Sequence, residues 1–322
     1  MQHEAVEAPG GPPTRLLSAH RDDATAATAV LFFEGDQISP DDYEARELIG
    51  DLAEPAQHLS TLSTRFSEDA VFVVLPTTLN RGQACYGNFL NAMTATGEPL
   101  GFKPQGYRSS THLHDILTRC CGAAQAAGLT LVGFSKGAVV LNQLLTEMAW
   151  HEEALSASGP AELQPAPAGQ APASSLAAAP AQAGAGGTAA GVAGASPVRP
   201  TAVAPPLPSA HGVSATLDAV RVVHFLDAGL NCRGVHLTDP AVLTMLGLRH
   251  KRRPLAVHLH GTPRQWGDRK RPWIVQERDR FLALLRGAGV PVEVHAHFEG
   301  QPPSLRQHFE VISLVGRGAM MS

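Results

Sequence analysis

Cysteine is scarce in this chain: Cys85, Cys120, Cys121 and Cys232 are the full complement, and no two form a Cys-x-x-Cys pair. So few thiols in 322 residues do not make a disulfide framework, and a reducing compartment is expected. Long apolar runs are missing too. None approaches the roughly 20 residues that a membrane-spanning helix needs, and the N-terminus has neither a basic start nor an apolar signal core. A protein that does not span a membrane and is not secreted is expected, in the cytoplasm on these grounds alone. Excess charge of one sign is also absent. The 25 Lys and Arg stand against 29 Asp and Glu, a formal net charge of -4, which removes the general electrostatic case for nucleic acid.

What is present is enough apolar residue, 44% of the chain, for one sizeable α/β core. Residues 1–22, mixed in charge, are expected to be flexible. Residues 156–211 are dominated by Ala, Pro, Gly and Ser and carry no aromatic side chain, so they cannot bury enough surface to fold alone; a disordered insertion is expected there. It divides a single domain into halves, 23–155 and 212–322.

In both halves short β-branched runs alternate with helical periodicity, the pattern of parallel strands joined by crossover helices. Strands are expected near Thr28 to Phe33, Val71 to Leu75, Leu129 to Gly133, Arg221 to Leu226, Leu255 to His260 and Val292 to Phe298. Leu113, Ile116, Leu117, Cys120 and Ala124 should lay one apolar stripe on the sheet, and Val139, Leu141, Leu144, Leu145 and Met148 another. A further helix is expected from about Ile274 to Leu285.

The strongest local signal is Gly133-Phe-Ser-Lys-Gly137, where a strand runs into a turn and a helix begins at once. This is G-x-S-x-G in the context of a nucleophile elbow, and it predicts an α/β-hydrolase-like fold, a mostly parallel central sheet with helices on both faces. The bend is too tight for side chains two residues before or after the serine, hence the glycines. Ser135 then stands above the sheet, and the amide of Lys136, at the helix start, is placed to meet an oxyanion. The blander alternative is a serine that only caps the helix. Neither phosphate-binding glycine pattern occurs at this turn.

A serine hydroxyl needs a base, and in this fold the partners follow in the order serine, acid, histidine. Asp268, in the loop after the Leu255 strand, is the expected acid, with Asp227 at the mouth of the preceding strand as its rival. His308, a short loop beyond the last strand, is the expected base, with His297 as the alternative. The loop leaving the Thr28 strand offers the amides of Gly35 and Asp36 as second oxyanion donors.

Two histidine pairs, His258 with His260 and His295 with His297, each share a strand face. No obvious carboxylate completes a ligand set beside them, so packing is expected and no metal or cofactor is assigned. The basic clusters Arg249-His-Lys-Arg-Arg253 and Arg269-Lys-Arg271 read as a solvated face, or as a contact for an anionic group on a substrate or a partner's acidic surface.

The segments Phe33-Glu-Gly-Asp-Gln37, Cys85-Tyr-Gly-Asn-Phe89, the elbow with Val139-Val-Leu-Asn-Gln-Leu-Leu145, Leu226-Asp-Ala-Gly229, Val257-His-Leu-His260 and Pro303-Ser-Leu-Arg-Gln-His-Phe309 lie in order across the foldable part. Together they resemble the chromosome 2 open reading frame 69 protein family, represented in humans by a mitochondrial protein. The resemblance implies an α/β-hydrolase-like fold, an elbow serine at Ser135 and an association with mitochondria. Asp268 and His308 fall on acidic and histidine positions of the family's pattern. The Ala/Pro-rich insertion and the lack of a clear presequence depart from it. Two functions follow. One is a serine hydrolase of small-molecule esters, thioesters or amides; the other is an inactive scaffold of the same fold that binds a protein partner.

Overall fold

The computed structural model describes residues 1–8, 11–19, 28–120, 128–157 and 211–316. Among the described residues eight strands form one sheet: β1 (Gln2–Ala8), β2 (Gly11–Ser18), β3 (Ala29–Phe33), β4 (Ala70–Val74), then, after the small hairpin β5 (Thr78–Asn80) and β6 (Gln83–Cys85), β7 (Leu129–Phe134), β8 (Val220–Leu226), β9 (Ala256–Gly261) and β10 (Val292–Ala296). Their spatial order is β1-β2-β4-β3-β7-β8-β9-β10, parallel from β4 onward, with β2 antiparallel to both its neighbours. This is the α/β-hydrolase-like sheet that the sequence predicts.

The middle strands are apolar throughout because both faces are covered. Every residue of β3 and β4 is buried. On one face Leu31, Phe33, Leu131, Phe225 and Leu259 pack under α3 (Arg108–Cys120), α4 (Ala138–Ala157), α5 (His211–Ala219), α6 (Pro240–Arg252) and α8 (Trp273–Gly287). On the other face Phe32, Val73, Phe134 and Leu226 meet α1 (Tyr43–Ile49), α2 (Pro55–Arg65) and α9 (Leu305–Glu310). A four-residue turn of helix, α7 (Pro263–Trp266), follows β9. The two halves of the chain meet where β7 pairs with β8.

Three expectations change. Residues 1–22 were expected to be flexible, yet Gln2–Ala8 and Gly11–Ser18 form the antiparallel β1 and β2, and β2 pairs with β4. Their alternation is the reason: Val6, Thr14 and Leu16 turn inward, and Leu16 joins the core. The helix after the elbow was expected to bury one stripe, but α4 lies between the sheet and its neighbouring helices and is buried nearly all round. Its polar residues are bonded accordingly: Asn142 donates to Val235 O, Gln143 to Lys103 O, and Glu147 accepts from the amides of Ser109 and Ser110. The last strand stops at Ala296, short of the expected Phe298. The 158–210 part of the expected insertion, and Ala124 of the expected stripe, lie outside the described residues. Among the described residues no helix is long and apolar enough to cross a membrane.

Candidate active site

The chain turns from β7 into α4 through Ser135, whose φ of +50° lies in the left-handed region that a side chain normally avoids. The glycines on either side are there for lack of room. A Cβ at Gly133 would lie 2.7 Å from Leu141 Cδ1, and one at Gly137 would lie 2.1 Å from the carbonyl oxygen of Phe33. Held this way, Ser135 sits at the wall of a cavity of about 370 Å³ with 7% of its surface exposed.

The imidazole that shares this cavity is His308. It belongs to α9, whose start is capped by Ser304 Oγ accepting from the amide of Gln307. Its ring packs on Phe134, the residue before the serine, at a centroid separation of 4.6 Å. Nδ1 is 2.7 Å from Asp227 Oδ2. A carboxylate accepts, so Nδ1 carries the proton and Nε2 is left as the basic nitrogen. The structure makes the link from carboxylate to imidazole; among the described residues no hydrogen bond joins His308 to Ser135, although both line the same cavity. Such bonds tighten when substrate is bound.

Asp227 is fully buried and itself fixed by three donors. Its Oδ1 accepts from the Thr262 amide at 2.7 Å, and its Oδ2 accepts from Thr262 Oγ1 at 2.8 Å as well as from His308. It follows the last residue of β8 in a left-handed conformation, φ +43°. Asp268, the acid expected from sequence, stands elsewhere. Its carboxylate takes the Arg271 guanidinium at 2.7 Å and the Lys270 amide at 2.8 Å, and the Arg271 bond holds its pKa below the usual carboxylate value. This placement has a topological cause. β8 is the immediate neighbour of the elbow strand, whereas the chain after β9 first makes α7 and reaches Asp268 only beyond it.

The alternative base, His297, pairs with His260 at 3.0 Å and belongs to a row of imidazoles along β8 to β10. Burial lowers its pKa. In that row, rings of His224, His258, His260, His295 and His297 stack at centroid separations from 4.4 to 5.6 Å. It occupies the sheet face that α1, α2 and α9 cover further along, where the residues are aliphatic or aromatic instead.

The loop after β3 abuts the serine. A Cβ on Gly35 would lie 2.6 Å from Ser135 Cβ. Asp36 turns its side chain to the Ala84 amide and to Lys136 Nζ, 2.7 and 3.1 Å away. Lys136 is itself buried and also donates to Thr96 O, with Glu98 at 3.5 Å. Its ammonium therefore ties the elbow to the Asp36 loop, a role that the sequence reading of its amide did not foresee.

A second buried pair, unread in the sequence, lies beneath the site. His58 on α2 offers Nδ1 to Glu34 Oε1 at 2.8 Å and Nε2 to Leu52 O at 2.7 Å. Both partners accept, so both ring nitrogens carry protons and the imidazole is cationic. Burial pulls its pKa down, but the charge and hydrogen bond of Glu34 outweigh this and the net direction is up. Glu34 immediately precedes Gly35, and the His58 ring stacks on Phe309, the neighbour of His308. One polar pair thus anchors both sides of the cavity. The only hint in the sequence is a histidine on the buried face of an amphipathic helix.

Three arginines, Arg81, Arg264 and Arg271, line the cavity together with Asp36 and Asp42, and the pKa of Arg264 is lowered first by burial and then by Arg271 close by.

Comparison with known proteins agrees with the resemblance seen in the sequence. The C2orf69 family model matches residues 208–291. The mouse (Mus musculus) mitochondrial protein C2orf69 homolog is 27% identical over 186 residues, 58% of this chain and 34% of that protein. The human (Homo sapiens) mitochondrial protein C2orf69 is 26% identical, over 58% of this chain and 33% of that one. The chain is similar to the C2orf69 proteins over part of its length. It matches about a third of the length of these C2orf69 relatives. The part aligned with the C2orf69 model carries β8, Asp227, β9 and Asp268, while Ser135 and His308 lie outside it. Among solved structures, acyl-protein thioesterase 2 from Zea mays superposes with a TM-score of 0.42 at 10% identity, covering 93% of this chain and 96% of that one.

Proposed function

We propose that this protein is a serine hydrolase of an ester, thioester or amide. Ser135 is the nucleophile, His308 the general base and Asp227 the group that orients His308 and stabilises its protonated form. The observation that carries the reading is the short bond from buried Asp227 to His308 in the cavity that Ser135 also lines. His308 Nε2 takes the proton from Ser135 Oγ as the hydroxyl attacks the acyl carbon, then returns it to the leaving group; water repeats the sequence to release the acid. The oxyanion is held by the amides of Lys136 and of Gly35 or Asp36. The amides on either side of that pair are already engaged, Glu34 with Val74 O and Gln37 with Gly82 O.

The arginine rim favours a substrate that bears an anionic group near the acyl centre, because guanidinium groups bind carboxylates and phosphates with directed, charge-assisted hydrogen bonds. We extend the mitochondrial designation of the C2orf69 relatives to this chain as part of the same reading.

A fluorophosphonate probe should label the folded protein at Ser135, and Ser135→Ala should abolish both labelling and ester turnover while the far-UV circular dichroism is unchanged. Labelling or turnover that survives Ser135→Ala would count against the reading and favour the non-catalytic scaffold. Arg264→Ala should raise KM for an anionic ester several-fold and leave that for its neutral analogue nearly unchanged; equal effects on both would remove the anionic preference.

A further inference from the structure

β10 is the edge of the sheet and is weakly held by apolar contact. Only Val292 packs on the core, and Glu293, Val294 and Ala296 are exposed. Against this, its parallel register sets Glu293 opposite His258 and His295 opposite His260, so that all four side chains leave the same face. The absence of a nearby carboxylate, expected from the sequence, is therefore corrected: Glu293 is next to two histidines.

We propose that His258, Glu293 and His295 form a binding site for one divalent cation of the zinc class, which clasps β10 to β9. The three ligand atoms make a nearly equilateral triangle. His258 Nδ1 lies 3.3 Å from His295 Nε2 and 3.5 Å from Glu293 Oε2, and the third side, His295 Nε2 to Glu293 Oε2, is 3.4 Å. A tetrahedral Zn²⁺ with bonds of about 2.0–2.1 Å holds its ligands roughly 3.3–3.4 Å apart, so the triangle has close to the spacing of one face of that tetrahedron.

A hydrogen bond between the two imidazoles explains only one side of the triangle. A carboxylate oxygen at the same distance from both nitrogens is what a shared cation requires. Two imidazole nitrogens with one carboxylate oxygen suit zinc and its neighbours rather than calcium or magnesium, which take mainly oxygen ligands. The fourth position falls to water or a small ligand, because Glu293 and His295 are partly open to solvent. His260 backs the site and is not a ligand: its ring stacks on His295 at 4.4 Å while its nitrogens face His224 and His297. The cation would fasten the edge strand whose outgoing loop leads to α9 and His308.

The test uses the full chain, stripped with a chelator and titrated with Zn²⁺ by calorimetry. One equivalent should bind and raise the thermal midpoint. Glu293→Gln and His295→Ala, both at solvent-facing positions, should each weaken binding by at least about the tenfold that loss of even an outer-shell partner costs. His3→Ala, an exposed histidine on β1, should leave it unchanged. Zinc-edge X-ray absorption on the unaltered protein should give four light ligands, two of them imidazoles, and so decides the matter even if a variant misfolds. Binding that never saturates at one equivalent, affinity unchanged in both ligand variants, an equal loss in His3→Ala, or a six-coordinate spectrum would each overturn the proposal.

Discussion

Ser135 is held at φ +50°, and a non-glycine residue there costs on the order of 1–2 kcal/mol relative to an unstrained backbone. Glycine adopts this conformation without that cost, whereas Gly133 and Gly137 are required for lack of room and do not share the left-handed φ. Ser135→Gly should therefore stabilise the protein by about 1 kcal/mol in denaturant unfolding while removing activity. A destabilised glycine variant would mean that the hydroxyl holds the structure together, as a helix cap does. The elbow was legible in the sequence because its constraint is local: Gly133, Ser135 and Gly137 answer to the strand and helix they join. Asp36 and Lys136 were read for their amides, whereas their side chains form the buried pair that fixes the loop against the elbow. That pairing depends on which loops meet, which spacing does not reveal.

At the level of elements, the Glu34–His58 pair joins the end of β3 to α2, and through Phe309 to α9. Removing one partner of such a buried pair costs roughly 3–5 kcal/mol because the other is left uncompensated. Its contribution depends on pH in a definite sense. The folded-state pKa of His58 is raised, so the stabilisation is complete below the unfolded value near pH ~6.5 and is lost as pH rises through the higher folded value. The difference in unfolding free energy between the natural protein and Glu34→Gln should accordingly be greatest at mildly acidic pH and shrink from about pH 6.5 upward. A difference that is flat or grows over that range contradicts a protonated His58. Neither residue attracted notice in the sequence, since 24 positions separate them and each resembles an ordinary polar residue at the end of an element. The strands themselves were readable within a residue or two because β3, β4 and β7 are apolar on both faces; β1 and β2 were not, because in β1, and in β2 from Thr14 to Leu16, only alternate residues turn inward.

The whole molecule decides which carboxylate faces His308. Ser135, Asp227 and His308 come from β7, β8 and α9, and they converge only because the sheet places β8 directly beside the elbow strand. Sequence alone offered two acids, each just past a strand, and could not weigh them: the four-residue α7, which carries Asp268 away to Arg271, has no strong periodic signal. The histidines of β8, β9 and β10 likewise acquire meaning only from register, which aligns Glu293 with His258 across two strands.

The rate at which a fluorophosphonate labels Ser135 in Asp227→Asn and Asp268→Asn bears on this most directly. An amide at 227 leaves His308 without its anionic partner and should slow labelling by roughly 10²–10⁴-fold, whereas Asp268→Asn should stay within about twofold of the natural protein. Equal slowing in both, or slowing in Asp268→Asn alone, would contradict the assignment of Asp227 and the convergence on which the proposed chemistry depends.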